Sequence, residues 1–193
     1  MNRFEMACEG AKFLRSFTLK KEYRGIKPFR MNFHYGLNVI VGENGSGKSS
    51  LLSLLTDSDL SEYAIIDADS VESRFLDTEK HNPRIKNDLS ESKNIGYEIN
   101  ARFMSHGEAL LPLIMSSEGF KDLVLLVDEP EAGISLGNQK KIYTNLKKIS
   151  KKNNCQVIVT THSYVIIKNV EEVFCMLQKQ WIPSKDHLRA LKI

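Results

Sequence analysis

The stretch from Val39 to Leu55 constrains this chain more than any other, because only one kind of local structure satisfies it. It reads Val-Ile-Val-Gly-Glu-Asn-Gly-Ser-Gly-Lys-Ser-Ser-Leu-Leu-Ser-Leu-Leu: an apolar run, a polar glycine-rich loop, then an amphipathic segment opened by two serines. This is the pattern G-x-x-x-x-G-K-[ST] in the setting it requires, a strand before and a helix after. Glycines allow successive backbone N–H groups to turn inward, and the N-terminus of the following helix adds its partial positive charge. Gly42, Glu43, Asn44, Gly45, Ser46, Gly47, Lys48, Ser49 and Ser50 are therefore expected to enclose a phosphate chain, with Lys48 on its outer phosphates and the Ser49 hydroxyl on Mg²⁺.

The flanking sequence predicts an α/β domain. Residues 13–19 and 29–33 alternate apolar with polar at period two and read as paired strands, with a turn at Gly25 to Pro28. Their aromatic neighbours Tyr23, Phe29 and Tyr35 are candidates to stack on adenine, although ordinary core or sheet packing accounts for each of them better. Residues 63–67 and 73–77 read as short strands, and the charged stretch Thr78 to Ser92 as a loop or small subdomain. Helical spacing of Leu110, Leu111, Ile114 and Met115 predicts a helix within 107–118. Leu123 to Val127 and Gln156 to Thr160 are continuous apolar runs, as expected of strands covered on both faces, with a helix from about Leu136 to Lys152 between them.

Both runs end in polar residues. Asp128 and Glu129 leave one strand together and His162 leaves the other, all at the carboxyl edge where a parallel sheet carries its ligand. Asp128 suits Mg²⁺, Glu129 an attacking water, and His162 a terminal phosphate or that same water.

Gly42 to Ser49, Met104-Ser105-His106-Gly107-Glu108, Asp128-Glu129-Pro130 and Thr160-Thr161-His162-Ser163 resemble, in order and spacing, the Walker A, signature, Walker B and switch-histidine motifs of the ABC-type ATPase superfamily. Gly36 to Lys48 is most similar to the SMC and RecF-like branch, and Asp-Glu-Pro-Glu at 128–131 resembles small ATPases related to the OLD family. The resemblance implies a P-loop NTPase with a mixed core sheet, an antiparallel β subdomain over 1–36 and a reduced signature region. The phosphate loop and its helix occupy 37–56, the reduced insert and signature helix 57–120, and the Walker B, D-loop and switch-histidine part 121–193, within one domain. It implies ATP and Mg²⁺ as ligands, catalysis by Glu129, His162 and Lys48, and a homodimer formed head to tail on ATP. Ser105 and the Gly107 N–H of one copy would then close on the γ-phosphate held by the other.

Three positions depart from the family pattern. His106 stands where the signature carries glycine. No glutamine occurs between Ser49 and Asn138, so Asp77 or Glu79 is the candidate for the γ-phosphate sensor. Ser135 replaces the D-loop aspartate. There is no coiled-coil insertion between Ser49 and Ser105 and only a short stretch after His162, so neither an SMC-like arm nor an appended nuclease domain is expected.

A formal charge of +3 permits nucleic-acid binding without arguing for it. The lysines at 140, 141, 147, 148, 151 and 152 could track a phosphate backbone or simply form a solvated helix face. Cys8, Cys155 and Cys175 form no C-x-x-C pair, which fits reduced thiols in a cytoplasmic protein. No apolar stretch is long enough for direct membrane insertion. The leading expectation is an ATPase of DNA metabolism, or of a phage-related or defence system, with DNA or a separate effector as partner. The alternatives are the nucleotide-binding subunit of a membrane transporter and a non-hydrolysing, ATP-gated scaffold.

Overall fold

Strand β3 (Leu37–Val41) feeds the phosphate loop and sits inside the larger of two sheets. The computed structural model describes residues 13–77, 111, 112, 114, 115 and 117–192. In chain order the elements are β1 (Leu14–Leu19), β2 (Phe29–Asn32), β3, α1 (Lys48–Thr56), β4 (Ala64–Ala68), β5 (Glu72–Asp77) and β6 (Leu123–Asp128). After these come α2 (Leu136–Lys152), β7 (Gln156–Thr160), α3 (Tyr164–Lys168), β8 (Glu172–Cys175), β9 (Gln180–Pro183) and α4 (Ser184–Ala190). The larger sheet runs β5-β6-β7-β3-β8-β9, parallel except for the antiparallel β8–β9 pair. The smaller sheet, β2-β1-β4, is antiparallel.

The continuous apolar runs are explained by burial on both faces. Alternate residues Ile40, Val124, Leu126, Ile158 and Phe174 point to one side, where they meet Leu51, Leu52 and Leu54 of α1 and Phe17 and Met31 of the smaller sheet. Their neighbours Val39, Val41, Leu125, Val127, Val157 and Val159 point to the other, against Ile142, Leu146 and Ile149 of α2 and Ile166 and Ile167 of α3. With period-two side chains and a cover on each face, no position along these strands can be polar without a partner.

Gln156 is such a partner. Leu14 N–H donates to its Oε1 at 2.8 Å, and its Nε2 donates to Leu14 O at 2.9 Å and His34 O at 3.0 Å. A side-chain amide thereby stitches β1 of the small sheet to β7 of the large one. One strand over, Asn38 of β3 pins the β2–β3 connection, accepting from His34 N–H at 2.7 Å and donating to His34 O at 2.8 Å.

The predicted strands and the helix over 136–152 are present, with two refinements. The β1–β2 turn lies at Tyr23 to Ile26, earlier than Gly25 to Pro28: Tyr23 and Ile26 exchange backbone bonds of 3.1 and 2.9 Å around Arg24 (φ 48) and Gly25 (φ 79). Two consecutive positive φ values are what a two-residue hairpin turn demands, and glycine supplies one of them at no cost. The two short strands after α1 also separate, β4 joining the small sheet and β5 the large one. The stretch Thr78 to Ser92, Glu79 and Met104 to Glu108 lie outside the described residues. Among the described residues no helix is long and apolar enough to cross a membrane.

Candidate nucleotide site

The loop after β3 folds tightly enough that only glycine fits at two of its positions. A side chain at Gly42 would bring its Cβ to 2.4 Å from Ser46 Oγ, and one at Gly47 to 2.3 Å from Ile26 Cδ1. Gly45 (φ 78) and Gly47 (φ 93) are left-handed, and Gly47 caps α1 with no side chain accepting from its first turn. The N–H groups of that turn are thus unoccupied by any capping side chain, and Ser46 Oγ is buried without a hydrogen-bond partner. An uncapped helix start, an orphaned hydroxyl and an inward-turned glycine loop together fit a phosphate chain.

Lys48 is almost fully buried, and its Nζ lies 3.1 Å from Gly42 O and 3.3 Å from Glu43 O. The same ammonium is 3.3 Å from Glu129 Oε1 and 2.7 Å from His162 Nε2, while His162 Nε2 and Glu129 Oε1 are 3.3 Å apart. One side chain from the start of α1 and two from the ends of β6 and β7 therefore converge on one point at the mouth of the loop. Lysine has only protons to give, so a hydrogen bond from Lys48 to His162 requires an unprotonated Nε2.

Asp128 and Glu129 are braced from β7. Thr160 Oγ1 donates to Asp128 Oδ1, and Glu129 N–H reaches both Thr160 O (3.1 Å) and Thr160 Oγ1 (3.2 Å). This bracing holds Glu129 at φ 43, a left-handed conformation unusual for a residue with a side chain. Asp77 ends β5 directly in register with Asp128. Ser163 caps α3 by accepting from Ile166 N–H at 3.2 Å and donates to Gln139 Oε1 at 2.7 Å, so α2 is tied to the segment that carries His162.

Of the sequence-predicted residues, Gly42 to Lys48, Glu129 and His162 are brought together, and Asp128 lies one residue away on the same strand end. Ser49 and Ser50 begin α1 at that edge. Ser105 and Gly107 lie outside the described residues. Tyr35 is at the opposite edge, bonded through its hydroxyl to Asn154 and packed on Phe13. Phe29 packs between Phe17 and Phe174, with Lys179 Nζ 4.5 Å above its ring. Of the three aromatics, Tyr23 is the one on the hairpin whose Ile26 presses against Gly47. The six lysines of α2 are all exposed, opposite its buried Ile142, Leu146 and Ile149.

Comparison with known proteins bears on the fold. A family model for the AAA ATPase domain matches residues 109–167, the part running from the residues before β6 through His162 and into α3. A structure of a protein described as a metal-chelate type ABC transporter, in an inward-facing conformation, superposes with a TM-score of 0.64 at 19% identity, covering 94% of this chain and 89% of that one. The chain has the fold of an ABC-type P-loop NTPase. The dimeric post-hydrolysis state of the ATP-binding cassette MJ0796, bound to ADP and Pi, shares this ABC-type fold at a TM-score of 0.51 and 18% identity, covering 85% of this chain and 93% of that one. Among curated relatives, the zinc import ATP-binding protein ZnuC of Histophilus somni (strain 129Pt) is 27% identical over 164 residues, 72% of this chain. The chain spans 61% of the length of that relative.

Sequence reasoning missed Thr160 and Glu131 as parts of this site. Thr160 carried a signal, since it stands in the motif ending β7 and pairs in register with Asp128. Glu131 carried none beyond its place in Asp-Glu-Pro-Glu.

Proposed function

We propose that this protein binds Mg-ATP at the loop 42–50 and hydrolyses it, with full activity only in a head-to-tail homodimer. The observation that carries the reading is the convergence of Lys48, Glu129 and His162 within 3.3 Å at the mouth of a glycine cradle. Lys48 would neutralise the outer phosphates. Glu129, released from Lys48 when phosphate takes its place, would orient and deprotonate the attacking water. His162 would hold that water or the γ-phosphate from the adjacent strand end. Ser49 and Asp128 offer the hard oxygen donors that Mg²⁺ takes, and Thr160 orients the second of them. When bound, the ion neutralises charge developing between the β- and γ-phosphates.

The dimer is supported by exposed apolar side chains at the same edge. Leu136, at the start of α2, is 66% exposed; Tyr164, just after the His162 segment, is 41% exposed; and Leu177, after β8, is 81% exposed. Large apolar groups gathered beside a ligand site suit a second protein surface. Ser105 and Gly107 of the second copy are the proposed lid.

ATPase activity rising faster than linearly with protein concentration, together with a nucleotide-trapped dimer of Glu129→Gln on a sizing column, is the expected outcome. Strictly linear activity below the dimer constant, or a variant that stays monomeric with ATP, refutes it. Turnover no higher than that of Lys48→Ala would make the protein a scaffold.

Two settings remain open to the same chemistry. The phosphate-loop context and the exposed lysines of α2 support coupling to DNA or a separate effector, read as stimulation of turnover by DNA. The likeness to a zinc import ATP-binding protein supports a transporter subunit on the cytoplasmic face, read as co-purification with a polytopic membrane protein.

A further inference from the structure

Glu131 takes no part in the chemistry above, yet its carboxylate reaches across to the backbone of His162, whose ring meets Glu129. Its Oε1 accepts from the backbone N–H of His162, and its Oε2 is buried with no hydrogen-bond partner among the described residues. Burial pushes this carboxyl above the ordinary range, against the opposing effect of the His162 amide.

The contact falls where the sheet no longer holds the chain. Thr161 N–H still donates to Ile40 O at 3.0 Å, and Ser163 N–H donates to Thr161 Oγ1 at 2.9 Å. Between them the His162 N–H faces the turn after β6. That turn is itself stiff: Pro130 fixes one φ, Ala132 N–H donates to Glu129 O at 3.1 Å, and Ile134 N–H donates to Glu131 O at 2.9 Å. The His162 side chain is 40% exposed, so packing alone does not set the ring. Its direction is inherited from the backbone that Glu131 holds.

We propose that Glu131 is a positioning residue that accepts the His162 backbone N–H and so fixes the imidazole relative to Glu129, two residues away on the same turn. This rests on the ATPase reading above. Losing the acceptor would let the imidazole drift from the water and phosphate without weakening the loop that binds nucleotide.

The test compares Glu131→Gln, which keeps an acceptor of the same shape, with Glu131→Met, which keeps the length and loses it. Methionine is expected to lower kcat roughly 10- to 100-fold with KM for Mg-ATP changed by less than about twofold, while glutamine stays within about threefold of wild type. In a His162→Ala background, Glu131→Met should cost nothing further, because a residue acting through His162 has nothing left to position. Unchanged kcat in Glu131→Met, glutamine as poor as methionine, or additive losses in the double variant would each overturn the proposal. Wild type with no turnover above Lys48→Ala would defeat the ATPase reading instead. The His162 amide proton resonance then decides the role of Glu131: downfield in wild type and Glu131→Gln and shifted upfield in Glu131→Met supports it, and no shift overturns it.

Discussion

Replacing Gln156 with methionine removes the stitch between the two sheets while leaving volume and apolar packing nearly unchanged. The lost bonds are those from Leu14 N–H (2.8 Å) and to Leu14 O (2.9 Å) and His34 O (3.0 Å). His34 O keeps its bond from Asn38 Nδ2 at 2.8 Å, so it is not the main casualty. The N–H and the carbonyl of Leu14 lose partners inside a fully buried contact. Each buried group left without a partner costs about 1–3 kcal/mol, so the pair should cost ~2–6 kcal/mol. Against a total stability of about 5–15 kcal/mol, that is a large fraction. Urea unfolding followed by circular dichroism measures it as a fall in midpoint, and a domain of this size should also lose roughly 2–4 °C of Tm per kcal/mol. A loss below about 1 kcal/mol would mean that these groups are satisfied by water or by a shifted β1, and would refute the assignment of Gln156 as the link.

Gly47→Ala combines a left-handed backbone (φ 93) with a Cβ 2.3 Å from Ile26 Cδ1, and should cost about 1–2 kcal/mol for the angle and ~1–3 kcal/mol for the overlap. Adding Ile26→Ala should relieve only the second part, which a double-mutant cycle in urea resolves. Thr160→Val removes the hydroxyl that orients Asp128 and should raise the Mg²⁺ concentration for half-maximal ATPase activity roughly tenfold, as loss of an outer-shell partner does; an unchanged Mg²⁺ dependence would count against Asp128 as the metal's carboxylate. Burial raises the Glu131 pKa above its unfolded value, so between the two the folded chain holds a proton that the unfolded chain has lost, and stability falls as pH rises through that window. Glu131→Gln should therefore gain on wild type in denaturant stability as pH rises above the ordinary carboxylate range, and a pH-independent difference would be contrary.

The parts of the fold that were legible in the sequence are those in which local pattern and tertiary environment agree. Val39 to Val41, Leu123 to Val127 and Gln156 to Thr160 are apolar without interruption because both faces of their sheet are covered, and Leu136–Lys152 shows its buried stripe at helical spacing. From 164 onward that agreement fails. Strands β8 and β9 are four residues each, β9 is half-exposed, and α3 is a single short turn-and-a-half whose residues are almost all apolar, so no period is long enough to read. The site was legible to the same degree. Lys48 was placed by the spacing of the glycine loop and Glu129 and His162 by the ends of their strands, whereas the contact between Glu131 and His162 depends on how two turns approach each other across the sheet edge.

The backbone of Glu129 carries a consequence for any attempt to harden this protein. At φ 43 a glycine would sit without steric penalty, and a side chain there forfeits on the order of 1 kcal/mol. Screens that reward thermal tolerance alone should therefore drift toward Glu129→Gly and return a sturdier, inert molecule. The residue that makes the fold slightly worse at being a fold is the one whose carboxylate reaches Lys48 and His162.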